Sequence, residues 1–399
     1  MISVERYTAT PRLMVPAFGL GALGLAATAA GAFMNPRATA HSYLIAFAYW
    51  AGISVASLIM VAVFHTAKAK WMTVLRRAME GMAVAIPIFA VLFVGLFLAR
   101  KHLYPWMWGK EELLKLYTSV EVSHLEHKQH GYLNVPFFVV RQLIYFGVWT
   151  FVSHRLHAWS TRQDEGGQLE LTVKQRFLSP GALPFLALTI TFAAFDWLMS
   201  LTPLWQSTIY GVYYFAGSFL AAFCVLTIAT VNAQGKDLYG NLVTTAHFHN
   251  LGKLMLAFTA FWAYIAFSQF MLIWIANLPE EAPWYHIRIN GPWHNLSASL
   301  FFLHFLLPFA ILLSRNLKLQ PRKLAVVAVY ILGIHYVDLY WLVWPAHSEA
   351  SPSFHWTLIT SFVGVGGIAV AFALWRAGGK YTVPVKDPYI ADSLRYVQP

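Results

Sequence analysis

Long runs of apolar residues separated by short polar segments are the dominant pattern of this chain. Each run is about 20 residues or longer, which is the length that an α-helix needs to cross the hydrocarbon core of a bilayer. The pattern predicts an all-α polytopic membrane protein with about ten transmembrane helices. We number these predicted spans one to ten, and they lie near residues 13–33, 40–65, 78–99, 135–157, 184–202, 207–232, 246–276, 292–314, 323–344 and 354–376.

Two pairs of matching segments indicate an internal repeat. Residues 196–203 (DWLMSLTP) and 338–345 (DLYWLVWP) both begin with Asp and end with Pro at the end of a span. Residues 42–56 and 207–221 share Ser, Tyr, Ala, Gly and Ala at corresponding positions. We interpret spans two to five and six to nine as two parallel four-helix bundles with one further helix at each end. Chance similarity between apolar helices is the alternative interpretation.

This interpretation divides the chain into four parts. They are residues 1–39, with the N-terminal tail and first helix; 40–203, the first bundle, with a long loop at 100–134; 204–345, the second bundle; and 346–399, with the last helix and a C-terminal tail. Residues 13–33 have basic flanks and small residues near their end, as a signal peptide does. We expect this segment to be retained as the first span.

Composition and charge support a membrane protein and argue against a nucleic-acid-binding one. Apolar residues make up 58% of the 399 residues and charged residues 11%, which is too little polar surface for a soluble globule. The net charge of +11 comes from Lys and Arg concentrated in the two tails and in the loops after even-numbered spans. The positive-inside rule therefore predicts that both termini are cytoplasmic and that loops 100–134 and 277–291 face outward.

Buried ionisable side chains in spans are the first candidates for chemistry, because each is costly in hydrocarbon. Asp196 and Asp338 lie in the outer third of the membrane, about two turns before the Pro that follows each helix. His335 lies one turn from Asp338 on the same helix face, and His304 lies near mid-depth in span eight. These four residues could bind a quinone or transfer protons. Two alternatives are that they only join helices by hydrogen bonds, or that His304 and His335 ligate a haem.

A second group of candidates lies at the predicted cytoplasmic ends of the spans. Glu80, His65, His154, His249 and Lys253 could continue a proton route on that side, although snorkelling at the interface explains them equally well.

Two further side chains of the spans need separate interpretation. Arg141 is either interfacial or paired with an acidic neighbour. His247 and His249 are two residues apart, so they point to different faces of a helix. We therefore predict no metal site.

The cysteine content restricts the cofactors that the chain itself can hold. Cys224 is the single cysteine and lies within an apolar segment. One cysteine excludes an intrachain disulfide, a cysteine-ligated iron–sulfur cluster and a Cys-x-x-Cys-His haem attachment. We expect no cofactor to be bound by this chain other than a quinone.

Four segments resemble the NrfD-type, or polysulfide-reductase-type, integral membrane subunits, and most closely the second such subunit of bacterial alternative complex III. They are residues 41–52, with HSYL and YWAG; 192–201, FAAFDWLMSL; 207–217, STIYGVYYFAG; and 261–270, FWAYIAFSQF. The resemblance covers roughly residues 10–376. It implies a bacterial inner-membrane subunit of a quinol:cytochrome c, or other acceptor, oxidoreductase that is not catalytic alone.

The resemblance also implies partners and roles. It implies a related NrfD-like subunit, an iron–sulfur subunit and c-type cytochrome subunits outside the membrane, which would hold the clusters and haems. The chain would support quinol oxidation, complex assembly and proton translocation, with Asp338, His335 and Asp196 at the depth where the family receives protons. The resemblance leaves open that the quinol site is in the related membrane subunit and that this chain is its structural or proton-conducting counterpart. Two functions of other classes are a stand-alone proton- or ion-coupled transporter and a purely structural anchor for peripheral redox subunits.

Overall fold

Helices make up most of the computed structural model, which describes residues 6–8, 10–235, 239 and 242–397. Ten helical spans in this part of the chain are long and apolar enough to cross a membrane, which confirms the predicted all-α polytopic class. Parts of both predicted tails and of the loop after span six lie outside the described residues. The spans are Pro11–Met34, Pro36–Thr66, Lys70–Leu103, Val135–Gly166, Leu169–Leu201, Tyr210–Gln234, Thr245–Ala276, Gly291–Leu313, Pro321–Ala346 and Thr357–Ala377.

The two ends of the bundle are distinguished by the tails and the loops. Arg6 and Tyr381 form an isolated antiparallel bridge, so the described parts of both tails lie on one side. We call this side the tail face and the opposite side the loop face. The long segment between spans three and four is on the loop face and is mostly helical, with a capping box at Thr118 and Glu121. Its elements are Pro105–Met107, Lys110–Leu113 and Ser119–Gly131.

Spans four and five are longer than their apolar runs. Helices Val135–Gly166 and Leu169–Trp197 continue through most of the segment 158–183, which the hydropathy pattern had left between spans. The turn between them is made at Gly167, whose φ of +66° is in the left-handed region that glycine favours. Hydropathy detects only the apolar part of a helix, so the polar turns beyond the membrane were missed.

Spans two and six form the centre of the bundle, and the same helix neighbours recur in both halves. Span two packs against spans three and five, and span six packs against spans seven and nine. Spans two and six also pack against each other at Gly52, where an added Cβ would lie 2.5 Å from the Ser218 hydroxyl oxygen. The small residues shared by the two halves therefore permit close helix contact.

Span one packs chiefly against span ten, through glycines on both helices. A Cβ added at Gly24 would lie 2.6 Å from the backbone nitrogen of Gly364, and one at Gly21 would lie 2.6 Å from that of Ile368. The two backbones are thus in direct contact, as in other small-residue interfaces between membrane helices.

We expect Gly24→Leu to separate span one from span ten, because a leucine side chain cannot fit between the two backbones. The control is Gly19→Leu on the same helix, where an added Cβ has no neighbour within 4 Å. Disulfide trapping between cysteines placed on the two spans should be efficient in the original chain and in the control and should fail with Gly24→Leu. Equal trapping in all three would contradict this packing.

Candidate functional site

Asp196, the candidate in the first half, is fully neutralised by side chains of span four. The Arg141 guanidinium donates to both carboxylate oxygens, with Nε–Oδ2 and Nη2–Oδ1 distances of 2.9 and 2.8 Å. Gln142 and Tyr145 also donate to Oδ2, at 3.0 and 2.9 Å. Of the two interpretations of Arg141, the acidic partner is therefore the correct one.

Other groups complete the environment of this ion pair. Arg141 also donates to the carbonyl oxygen of Tyr132, and its guanidinium lies 3.8 Å from the centre of that tyrosine ring. Trp197 donates to the side-chain oxygen of Gln142. The pair is buried and bidentate, and its hydrogen bonds are satisfied, which are the conditions under which a buried ion pair is tolerated. The geometry makes Asp196 a structural acceptor between spans four and five.

Asp338, at the matching position of the second half, has a different environment. Its Oδ1 atom accepts a hydrogen bond of 2.5 Å from the Tyr213 hydroxyl of span six. Its Oδ2 atom has no hydrogen-bond partner, and the nearest basic nitrogen is Nδ1 of His335, at 3.7 Å. Both side chains are almost completely buried. Both carboxylates thus accept from a tyrosine, but Asp196 is also paired with an arginine, whereas Asp338 has only an unbonded histidine nearby.

His304 extends this group across span eight. Its ring centre lies 6.0 Å from that of His335 and 3.9 Å from that of Trp262 in span seven. Neither ring nitrogen of His304 or His335 has a hydrogen-bond partner. His304 lies in a π-helical segment, Phe301–Leu306, and such segments are frequent at functional sites. We call Asp338, His335, His304, Tyr213 and Trp262 the Asp338 cluster.

The Asp338 cluster has an unusual number of buried polar atoms without partners. Leaving one such atom unsatisfied costs about 1–3 kcal/mol, so native structures keep few of them. The repeat offers a comparison, because Ala193 stands one turn before Asp196 where His335 stands one turn before Asp338. A chain that needed only helix contacts could have used alanine at both positions.

Gly217 leaves room for the imidazole ring of His335. A Cβ added at this glycine would lie 2.7 Å from Cε1 of the His335 ring. Gly52 and Gly217 occupy corresponding positions when residues 42–56 are aligned with 207–221, yet the first makes room for Ser218 and the second for the imidazole. The same small residue thus makes room for a serine of span six in one case and for an imidazole of span nine in the other.

A large apolar groove adjoins the Asp338 cluster. It has a volume of about 920 Å³, lies between spans seven and eight and is bounded by helix Ala282–Ile289. Tyr264, Phe267 and Phe301 are exposed on its outer side, so it opens on the apolar flank of the bundle. Tyr213 lines the groove while donating to Asp338. The remaining lining is mostly aromatic, including Trp262, Phe270, Tyr285, Phe305 and Trp341.

Arg288 fixes the loop-face edge of this groove. Its side chain is buried, stacks on Trp284 with its guanidinium carbon 3.4 Å from the ring centre, and donates to the carbonyl oxygens of Trp341 and Leu342. These carbonyls lie at the end of span nine, where the last carbonyls of a helix lack partners within the helix. Arg288 therefore joins the loop helix to the span that carries Asp338.

On the tail face, Glu80 belongs to a buried network of charged groups. It accepts hydrogen bonds from Nε of Arg76 and Nη1 of Arg77, at 3.0 and 2.9 Å. Arg76 also binds Asp387 of the C-terminal segment, at 2.7 Å, and Arg77 binds Asp164 of span four, at 2.5 Å. The sequence spacing of Arg76, Arg77 and Glu80 along one helix turn was the available signal for this network, and it was overlooked.

The other candidates of the tail face are distributed around this network. His65 is buried and borders a narrow cleft with Arg76 and Asp387. His154 and Lys253 are exposed, and His249 is half-buried. The imidazole that approaches Glu80 is His157, one turn after His154, with Nδ1 3.8 Å from Oε2 of Glu80. Sequence reasoning selected the outward-facing histidine of this helix and missed the inward-facing one.

Two histidines on the loop face lie close together. The rings of His41 and His347 are 5.4 Å apart, and the Arg37 side chain donates to the carbonyl of Ala346 beside them. Burial, followed by the positive charge of Arg37, lowers the pKa of His347 below its usual value, so this ring is neutral at pH 7. No group of three or more His, Cys, Asp or Glu residues in the described part of the chain could hold a metal ion.

The fold and site define a multi-pass helical membrane protein with a buried carboxylate–histidine cluster beside an apolar groove. Neither a scan of protein-family models nor a search of curated proteins finds a match to this chain.

The two aspartates lead to opposite expectations for stability. Asp196→Asn leaves the Arg141 charge buried without its partner, so we expect a loss of about 3–5 kcal/mol in the free energy of unfolding. Asp338→Asn removes a carboxylate that has no cationic partner closer than 3.7 Å, so we expect stability to be unchanged or increased. Equilibrium unfolding in mixed detergent micelles measures both, and equal losses would contradict the assigned environments.

Proposed function

We propose that this chain is a membrane subunit of a quinol-oxidising respiratory complex of the alternative complex III type, and that its second half binds quinol. The observation that carries the proposal is Tyr213, whose hydroxyl lines the apolar groove and donates to the otherwise unpaired Asp338 carboxylate. A ligand in the groove is thereby placed in contact with a buried proton acceptor.

The groove favours a lipid-soluble aromatic ligand. Its volume is in the range of cavities that hold small organic molecules, and its lining is predominantly apolar and aromatic. It opens between spans seven and eight, where a membrane-dissolved molecule enters sideways. A quinol has a planar aromatic head that stacks on such rings and two hydroxyl groups that need polar partners.

The Asp338 cluster supplies the proton acceptors that quinol oxidation requires. Each quinol gives up two protons and two electrons when it becomes a quinone. In the proposed step a quinol hydroxyl gives its proton to Tyr213 as Tyr213 gives its own to the Asp338 carboxylate. His335 and His304 have unpartnered ring nitrogens and can take protons in turn. The electrons pass to an iron–sulfur protein on the loop face.

The resemblance of the sequence to NrfD-type subunits supports this assignment to a complex. The partners would be a related NrfD-like subunit, an iron–sulfur subunit and c-type cytochromes, in the bacterial inner membrane with both termini cytoplasmic. The loop face would then face the periplasm and bring the Asp338 cluster near the electron acceptor. Asp196, paired with Arg141, would serve assembly and stability instead of proton transfer.

The position of the groove favours a quinol site over the two alternative functions, a transporter and a structural anchor. A transporter of ions or polar solutes needs a site that opens to water, whereas this groove opens to the apolar flank. A structural anchor needs no unpaired carboxylate beside a ligand-sized cavity.

We expect Asp338→Asn and Tyr213→Phe to lower the turnover number for quinol oxidation by the assembled complex at least tenfold, because each removes the proton acceptor or its link to the groove. Tyr336→Phe is the control, since its hydroxyl donates to the Leu358 carbonyl away from Asp338. Activity is measured on complexes whose subunit content equals that of the original. Full turnover in an assembled Asp338→Asn complex would place the quinol site elsewhere.

Filling the groove should affect binding more than chemistry. We expect Ala298→Trp to raise the KM for quinol severalfold with little change in kcat, because the indole occupies the ligand's space without touching Asp338. Val326→Trp, on an exposed surface of span nine outside the groove, is the matched control. An unchanged KM for Ala298→Trp would show that quinol does not enter between spans seven and eight.

A further inference from the structure

A pocket on the tail face lies between the ends of spans four and ten. Both spans pack against span three, and the pocket occupies the gap between them. Its volume is about 330 Å³, and Trp375 at its edge is 57% exposed, so the pocket opens on the outer flank of the bundle. It is lined by His157, Ala158, Thr161, Trp375, Arg376 and Lys380.

The depth of this pocket matches the boundary between the hydrocarbon of a bilayer and its headgroups. The apolar runs of spans four and ten end near residues 157 and 376, which are themselves part of the pocket lining. Tryptophan is enriched at this boundary, because its ring is apolar and its N–H is polar. Trp375 fits this position and packs on Phe372, with the ring centres 5.4 Å apart. A ligand in the pocket is therefore at headgroup depth.

Arg376 and Lys380 give the pocket two positive charges. Neither side chain forms an ion pair with another described residue. The carboxylates of the tail face that form ion pairs have other partners, in the pairs Lys70–Asp392, Arg76–Glu80, Arg76–Asp387, Arg77–Glu80 and Arg77–Asp164. Glu165, at the end of span four, is exposed and therefore screened by solvent, and Lys386 donates to its main-chain oxygen. The pocket is thus suited to an anionic ligand.

The buried carboxylate of Glu80 lies behind the wall of the pocket. His157 stands between them, because its side chain lines the pocket while its Nδ1 atom lies 3.8 Å from Oε2 of Glu80. Glu80 accepts hydrogen bonds from the guanidinium groups of Arg76 and Arg77, so its charge is matched inside the bundle. An anion in the pocket therefore meets the two cations at the end of span ten and no unpaired carboxylate of the network.

The N-terminal tail fixes the backbone that carries Lys380. The Tyr7 N–H donates to the carbonyl of Lys380, and the Gly379 N–H donates to the carbonyl of Tyr7, at 2.8 and 3.1 Å. Gly379 has a φ of +72°, in the left-handed region, and turns the chain after span ten. Arg6 lies over the ring of Tyr381, 5.1 Å from its centre, and adds a cation beside Lys380. The basic rim is therefore held by backbone contacts.

We propose that this pocket binds the phosphate group of an anionic phospholipid from the leaflet on the tail face, with Arg376 and Lys380 as its charged contacts. Guanidinium and ammonium groups form strong hydrogen bonds to phosphate, and basic pockets between membrane helices bind the headgroups of acidic lipids. The acyl chains lie on the apolar flank beside Trp375. This inference does not depend on the quinol site in the second half.

The occupant is a lipid because the pocket joins two environments. A free phosphate ion would use the cations alone, whereas the pocket also opens on the flank of the bundle at an exposed tryptophan. A zwitterionic lipid carries its own cation and gains less from two further ones. The pocket therefore predicts a preference for phosphatidylglycerol over phosphatidylcholine with the same acyl chains.

The test is lipid binding to the purified full chain, followed by native mass spectrometry during titration with dioleoyl-phosphatidylglycerol. We expect Arg376→Gln/Lys380→Gln to raise the Kd of the first bound lipid at least about tenfold, because each Lys or Arg near an anionic lipid contributes roughly fivefold. Arg322→Gln/Lys323→Gln removes two exposed cations at the tail-face end of span nine and should leave the Kd unchanged. Arg376→Lys/Lys380→Arg keeps both charges and should retain binding.

Three results of this titration would overturn the proposal. They are an equal Kd in the original chain and Arg376→Gln/Lys380→Gln, equal binding of phosphatidylglycerol and phosphatidylcholine by the original chain, and displacement of the lipid by inorganic phosphate. The last result would show that the pocket takes a free anion.

Filling the pocket separates binding inside it from a general attraction to positive charge. Ala158→Trp places an indole in the pocket without changing any charge, so we expect it to raise the Kd for phosphatidylglycerol severalfold. Val326→Trp, on an exposed surface of span nine, is the control. An unchanged Kd for Ala158→Trp would contradict binding in the pocket.

A further measurement uses the original chain and requires no variant to fold. Phosphatidylglycerol with a photoreactive group next to its headgroup should cross-link to peptides that contain residues 157–161 or 375–380. Cross-links confined to other parts of the chain would overturn the proposal.

Discussion

The cost of placing charge in an apolar bundle governs the organisation of this protein. Each buried carboxylate must be matched by a cation, by hydrogen bonds or by a proton, since water cannot serve in the hydrocarbon region. Asp196 is matched by Arg141, and Glu80 by Arg76 and Arg77. Asp338 is the exception, with a tyrosine and an unbonded histidine as neighbours.

The carboxylates at the ends of spans five and nine have different surroundings, although spans two and six have corresponding helix neighbours. Asp196, at the end of span five, accepts hydrogen bonds from three side chains of span four, and these bonds join the two helices. In the second half, span eight has a π-helical segment and contributes His304 in place of such donors. The apolar groove adjoins span eight and lies beside Asp338, the carboxylate that has no cationic partner. The carboxylate at the end of span five is thus paired with a cation, whereas the one at the end of span nine is not.

The fold class was predictable from the sequence, but the assignment of site residues was only partly so. Apolar runs locate ten spans because hydropathy is a local property, while polar extensions such as 158–183 escape it. The relation of His335 to Asp338 follows from helical spacing and is present in the structure. The choice of His154 instead of His157 was not resolvable in this way, because span four has polar residues on several faces near its end.

What the sequence determined by itself is the number and class of the spans and the positions of the costly buried residues, because these depend on composition and on spacing within one helix. The tertiary structure decided which of those residues are neutralised. Arg141 meets Asp196 across 55 residues and Arg76 meets Asp387 across 311. Such contacts are set by how helices pack, so a carboxylate that is paired with a cation and one that has no such partner look alike until the bundle is assembled.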